Sequence, residues 1–239
     1  MKDLDPVLAA NLESVRGRME QAGRRVGRSA ETIRLVVVSK GRSAQAVRQA
    51  YAAGIRDFGE NRVEEALPKV EALADLGSLC WHMIGHLQSR KADHILPSFG
   101  VVHSVDRWKI ARLLDEQAGA VGRRLPVLLE CNVSGEISKE GWDFSNLDTW
   151  EAGVASLLRL RSLPHLQVLG LMTMAPVVDD PNQARPIFRT LRELSELIRR
   201  DWPECGRDLS MGMSDDFEVA IEEGATMVRL GRAIFGTAV

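Results

Sequence analysis

The sequence predicts an α/β protein, a single (β/α)8 TIM barrel with an extra N-terminal helix. Three observations lead there. About eight short apolar strands alternate with amphipathic helices, the pattern of a parallel sheet covered by helices. The length, 239 residues, matches the roughly 250 of a typical closed barrel. After the first strand comes Ser39-Lys40-Gly41-Arg42-Ser43, unlike the G-x-G-x-x-G of an open dinucleotide-binding sheet.

Each element has its own signal. Leu8, Leu12, Val15 and Met19, spaced by 4, 3 and 4, form one helical stripe after Pro6, and this extension over residues 1–30 is expected to cap the barrel. Ile33 to Ser39 is short, β-branched and apolar, a buried strand, and Ala44 to Ala53 is helical with Gly54 as its C-cap. Ile55 to Phe58 is the second strand, followed by a charged helix from Arg62 to Leu76. Trp81 to Ile84 precedes a helix at Ser89 to Leu96, and Val101 to Ser104 precedes one at Arg107 to Gln117. Pro126 to Cys131 is the fifth strand, with a polar loop and a helix from Asn146 to Leu160 after it. Leu166 to Leu171 is the sixth, and Ile187, Leu191, Leu194 and Ile198 mark its helix. Leu209 to Met211 and Met227 to Leu230 close the series, with Phe217 to Glu223 helical between them. No low-complexity linker interrupts residues 1–239, so a single domain is expected.

Composition narrows the function classes. With 31 Lys+Arg against 33 Asp+Glu the net charge is −2, which argues against a nucleic-acid binder. The arginines between Arg16 and Arg28 are interleaved with Glu13, Glu20 and Glu31, as on a solvated helix face. Cys80, Cys131 and Cys205 form neither a disulfide framework nor a zinc pattern. The N-terminus lacks an apolar leader and no run approaches a membrane span, so a cytoplasmic protein is expected.

In such a barrel the active face is built from the C-terminal ends of the strands, with phosphate held after strands seven and eight. Lys40 ends the first strand, where it is either a snorkelling surface amine or a partly desolvated nucleophile held in the barrel mouth. Ser210-Met211-Gly212-Met213-Ser214 precedes a helix near Asp215, with Ser214 a candidate N-cap, and Gly231 allows a second loop to approach closely. Together these suggest a phosphate cradle. Arg229 is a charge within an apolar strand and demands a buried partner. His82 and His86 lack a third ligand and read as core or loop histidines, so no metal site is expected.

A strand-one lysine with a strand-seven and strand-eight phosphate cup resembles the fold-type III pyridoxal-phosphate (PLP) proteins. More narrowly, the chain resembles the pyridoxal phosphate homeostasis protein family (the YggS/PROSC family) over nearly its whole length. The segments that carry this are Val36-Val37-Val38-Ser39-Lys40, Phe58-Gly59-Glu60-Asn61, Trp81 to Gln88, Asn132 to Glu136 with Ser138-Lys139, Gly170 to Met174, Ser210 to Asp216 and Arg229 to Gly236. The resemblance implies that pyridoxal 5'-phosphate is the cofactor and that Lys40 forms an internal aldimine with it. It implies that Met213 through its N–H, Ser214, Gly231 and Arg232 surround the phosphate, with Ser210 lining the same cup. Arg229 would sit near the ring nitrogen or the phosphate, and Asn61 and Met172 would line the ring. Where the family commonly has Thr and then Pro after the lysine, this chain has Gly41-Arg42-Ser43, and a looser, more charged loop is expected.

Enzymes of fold type III complete their sites with a β-domain. This chain ends at Val239, soon after the eighth strand, and its one tyrosine, Tyr51, lies in a predicted helix. Arg229, unlike a carboxylate, does not keep a pyridine nitrogen protonated, which weakens the ring as an electron sink. The leading expectation is therefore a PLP carrier in vitamin B6 homeostasis without robust turnover, monomeric, binding neither membranes nor nucleic acid, and serving PLP-dependent apo-enzymes. Its rivals are a PLP-dependent amino-acid racemase with an open site and a Schiff-base aldolase that ignores PLP. Lys139 is a further candidate amine.

Overall fold

The computed structural model describes residues 5–136 and 139–236. Eight parallel strands form the barrel: β1 (Arg34–Val38), β2 (Asp57–Glu60), β3 (Cys80–Met83), β4 (Val101–Val105), β5 (Leu125–Asn132), β7 (Leu166–Met172), β8 (Asp208–Ser210) and β9 (Met227–Leu230). The sheet runs in the order β4-β3-β2-β1-β9-β8-β7-β5, and the pairing of β4 with β5 closes it. A ninth strand that the sequence did not suggest, β6 (Trp142–Asp143), adds two residues beside Cys131 and Asn132 at the end of β5.

The outer layer holds α2 (Ala44–Ala52), α3 (Val63–Ala72), α4 (Trp108–Ala120), α5 (Trp150–Leu158), α6 (Arg185–Asp201), α7 (Phe217–Glu222) and the single turn α8 (Arg232–Phe235). The expected helix after β3 is instead a 3-10 segment, Ser89–His94. Its apolar side chains are still used, since Ala92, Ile95 and Leu96 are buried. The N-terminal helix α1 (Pro6–Arg25) does not cap the barrel. It packs on α7 and α8, while Asp5 N–H donates to Gln49 of α2 and Arg16 donates to the Ala53 carbonyl. It thus fills the place in the helical layer that the very short α8 leaves open. Asp5 caps it by accepting from Val7 N–H at 2.8 Å. Among the described residues no helix is long and apolar enough to cross a membrane.

Strand alternation separates two interiors. Outward-facing Val37, Phe58, Trp81, Val127, Leu129 and Leu171 pack under the helices, where Phe58, Phe188 and Phe217 are fully buried. Burial of side chains of this size contributes about 1.5–3 kcal/mol each. Inside the barrel, Val101, Leu128, Met172 and Met227 make a small apolar layer. Two residues further along three of these strands stand His103, Glu130 and Arg229, so the same lumen turns polar towards the C-terminal face.

Candidate functional site

Lys40 follows β1 on a turn whose preceding residue is clamped from three sides. Ser39 N–H donates to the Gly59 carbonyl at 3.0 Å, and the Ser39 hydroxyl donates to Glu60 Oε1 at 2.6 Å. Lys69, from α3, donates to the Ser39 carbonyl at 2.7 Å and to Glu60 Oε1 at 2.6 Å. Glu60 is fully buried, so its carboxylate depends on these partners. Lys40 itself is exposed, and the desolvated amine considered from the sequence is not what the structure presents. What distinguishes it is its placement at the end of β1, not burial.

The loop after it is tethered rather than loose. Gly41 has φ +68, a conformation that favours glycine, and Arg42 N–H donates back to the Ser39 carbonyl at 3.0 Å. Arg42 donates to the Gly236 carbonyl at 2.5 Å and lies over the Phe235 ring, while Ser43 caps α2 through Ala46 N–H. The additional charge of Gly41-Arg42-Ser43 therefore ties this loop to the end of α8.

The β8 and β9 ends meet the same corner. Parallel pairing sets Val37 opposite Leu230, and a Cβ on Gly231 would lie 3.3 Å from both Val38 Cβ and the Val38 carbonyl oxygen. Gly231 is thus what lets the β9–α8 turn lie against the strand end that carries Lys40. Ser214 does not cap α7 as expected; its Oγ accepts from Ala233 N–H at 3.1 Å, joining the β8 loop to α8. The residue before α7 is Asp216, whose carboxylate accepts from Met213 N–H at 2.6 Å. An anion seeking the Met213 N–H would have to displace that carboxylate, which burial holds above the usual range. Arg232, exposed, ion-pairs with Asp215. Among the described residues, the backbone N–H groups of Ser214, Asp215, Gly231 and Arg232 donate to no protein acceptor. These donors, with Arg232, form a cluster suited to a phosphate.

The remaining candidates divide between rim and lumen. Asn61, half-buried at the rim, is approached closely by the segment after β3, since a Cβ on Gly85 would come within 2.2 Å of the Asn61 carbonyl. Met172 is fully buried in the apolar layer of the lumen. Arg229 is buried and finds the partners its position required: it donates to Ser210 Oγ at 2.6 Å and to the Thr173 carbonyl at 2.9 Å. Burial pulls its guanidinium down to about 10, against the attraction of Glu130 and Asp216, so it remains a cation at neutral pH. Ser210 therefore sits inside the barrel beside Arg229, with its hydroxyl engaged there rather than presented to the cup.

His82 is a core histidine bonded to Asp57 and His103, whereas His86 pairs with Asp106 at the rim, so the H-x3-H residues diverge. Lys139 donates to the Met174 carbonyl at 2.9 Å; Ser138 of the same motif lies outside the described residues. Sequence reasoning missed Glu130, whose carboxyl is pushed up to about 7, chiefly by burial and next by Asp106. Its signal was the one that exposed Arg229, a charge inside an apolar strand. His103 carried the same signal; the partnership of Lys69 with Glu60 carried none.

Fold and site together define a barrel of the alanine racemase N-terminal domain class, and residues 10–239 match the family described as "Alanine racemase, N-terminal domain". A pyridoxal phosphate homeostasis protein of Pseudomonas aeruginosa is 45% identical over 230 residues, covering 96% of this chain and 95% of that protein. One from Aquifex aeolicus is 41% identical over 226 residues, covering 94% and 96%. The structure of PipY from Synechococcus elongatus with PLP bound is 37% identical with a TM-score of 0.81, covering 96% of this chain and 100% of that one. The chain belongs to the pyridoxal phosphate homeostasis protein family.

Proposed function

We propose that this chain binds pyridoxal 5'-phosphate at the C-terminal face of its barrel, with Lys40 as covalent anchor, and serves PLP homeostasis as a holder of the cofactor without robust turnover. The observation that carries this is the convergence at one corner: β1–β9 pairing and the Gly231–Val38 approach set the Lys40 turn beside the Ser214/Gly231 donors. The residues present fit the group. Ser214, Gly231 and Arg232 would hold the phosphate, joined by Met213 if Asp216 yields its N–H. Arg229 and Asn61 would face the ring, Met172 would floor it, and Ser210 would support Arg229. When bound, PLP supplies an aldehyde that condenses with primary amines and an electron-withdrawing ring.

The chain's own side chains favour holding over turnover. An exposed Lys40 leaves the anchor open to water and to competing amines. Arg229 offers the ring a donor already in the cationic form, and it does not protonate the ring nitrogen as a carboxylic acid would. PLP-dependent apo-enzymes as recipients, a monomeric state and a cytoplasmic location belong to this same reading. The test is the visible spectrum of the protein with added PLP before and after borohydride, beside Lys40→Ala. The expected result is an absorbance band that borohydride fixes on Lys40 and that the variant lacks; a colourless wild type with no labelled lysine overturns the proposal.

One observation favours turnover as an amino-acid racemase: Glu130, near pH 7 in its titration, is tuned as a general base would be. Lys40-dependent exchange of an amino acid's α-proton in deuterated water would establish that activity, and we expect none above the background of free PLP.

A further inference from the structure

The lumen holds a polar system that extends beyond the cofactor contacts proposed above. Arg229 donates from Nη1 to Ser210 Oγ at 2.6 Å. Ser210 Oγ lies 2.9 Å from His103 Nδ1, His103 Nε2 lies 2.9 Å from His82 Nδ1, and His82 Nε2 lies 2.8 Å from Asp57 Oδ1. The five residues come from β9, β8, β4, β3 and β2, so the chain of bonds crosses the barrel. It ends at the opposite, N-terminal end of β2, where Asp57 also faces Arg34 of β1 at 3.9 Å and Cys80 of β3. Ser210, His82 and His103 are wholly buried.

Counting donors gives this chain one direction. A guanidinium has no acceptor, so Ser210 Oγ accepts from Arg229, and with both rings neutral and Asp57 a carboxylate the Ser210 proton goes to His103 Nδ1. His103 then carries its proton on Nε2 and donates to His82 Nδ1. His82 in turn carries its proton on Nε2 and donates to the Asp57 carboxylate, which offers only lone pairs. The opposite polarity would need a protonated Asp57 and would leave the Ser210 hydroxyl proton without a place in the chain. A charged imidazole at either position would put a proton on His103 Nδ1, so Ser210 Oγ would accept from both sides and its own proton would lose its partner in the chain. Burial, with His82, Arg229 and Arg34 around it, holds His103 well below its ordinary value, in keeping with a neutral ring. The other charges acting on Arg229 are Glu130 from β5 and Asp216 from the loop before α7.

We propose that Asp57, His82, His103 and Ser210 are positioning residues for Arg229, a directional hydrogen-bond chain anchored by a carboxylate on the far side of the barrel that holds the guanidinium in one orientation. The chain fixes the Ser210 lone pair towards Nη1, and the Thr173 carbonyl, 2.9 Å from Nη2, fixes the second edge of the plane. The consequence for PLP rests on the function proposed above; the polarity of the chain does not.

Two measurements test it. Long-range proton–nitrogen correlation spectra of the full chain, labelled with 15N-histidine and without added PLP, should show His103 neutral and protonated on Nε2 alone, with His82 donating from Nε2. A proton on His103 Nδ1, whether in the neutral tautomer or the imidazolium, overturns the proposal. The second measurement compares His103→Gln, which can still accept from Ser210 and donate to His82, with His103→Leu, which can do neither. The leucine variant should shift the absorbance maximum of the PLP-loaded protein and weaken PLP binding about tenfold, the cost of one lost charge-assisted bond. The glutamine variant should stay within about twofold of wild type. Equal behaviour of the two variants overturns the positioning role. If the leucine variant does not fold, Ser210→Ala takes its place with the same expectation. If wild type takes up no PLP, the proposed function falls and the histidine spectra alone decide the chain.

Discussion

Replacing Lys69 with methionine should be among the costliest single changes near the site. Glu60 is fully buried, and its Oε1 is served by Lys69 at 2.6 Å and Ser39 at 2.6 Å, while Oε2 has no partner among the described residues. Lys69→Met keeps the apolar stem but removes the only cation paired with that carboxylate among the described residues. Breaking one side of a buried ion pair costs about 3–5 kcal/mol, because the remaining charge stays buried without compensation. For a chain of this size each kcal/mol moves the melting temperature by about 2–4 °C, so a fall of roughly 6–20 °C is expected. The assay is urea unfolding with a calorimetric check. Glu60→Gln in the Lys69→Met background should recover most of the loss, since an amide keeps an acceptor for Ser39 and carries no charge. The single variant should also label more slowly with PLP and borohydride, because Lys69 holds the Ser39 carbonyl at 2.7 Å, one residue before Lys40. A loss below about 1 kcal/mol, or a double variant no better than the single, would refute the view that this pair braces the Lys40 turn.

Three further outcomes are expected. Burial raises Glu130 from 4.5 to about 7, so the folded protein binds a proton there that the unfolded chain has released, and stability should fall as pH rises from about 4.5 to 7. That shift amounts to about 3 kcal/mol, and Glu130→Gln should flatten the pH dependence of the urea midpoint over this window; superimposable profiles would contradict it. Gly85→Ala would set a Cβ 2.2 Å from the Asn61 carbonyl oxygen, and a loss of about 3 kcal/mol with displacement of Asn61 should appear in denaturation and in weaker PLP uptake. Gly231→Ala meets Val38 at 3.3 Å, so it should cost about 1 kcal/mol in stability yet weaken PLP binding more than a distant Gly122→Ala control, read by titration.

The barrel was readable because its signals are local. Strand-length apolar runs and helical spacings follow from side chains choosing between two interiors, and the stripe Leu8, Leu12, Val15 and Met19 is buried in the structure as its spacing requires. The errors fell where neighbours in space decide. The α1 helix looked like a cap, but α8 ends after one turn and leaves a groove that α1 fills. Ser214 looked like the cap of α7, yet its hydroxyl serves Ala233, 19 residues on. Gly41-Arg42-Ser43 looked loose because the Gly236 carbonyl that holds Arg42 is 194 residues away.

For the site, sequence alone determined which residues end which strands, because strand order along the chain dictates it: Lys40 after the first, Ser210 to Ser214 on and after the seventh, Arg229 to Arg232 on and after the eighth. Tertiary structure decided everything that depends on closure. Only when β9 pairs with β1 do Gly231 and Lys40 share a corner, and only when β4 pairs with β5 does the lumen close around Asp57, His82, His103, Ser210 and Arg229. Sequence shows that a charge lies in an apolar strand, and desolvation requires that it be paired. Which group does the pairing is settled by the geometry of the closed barrel.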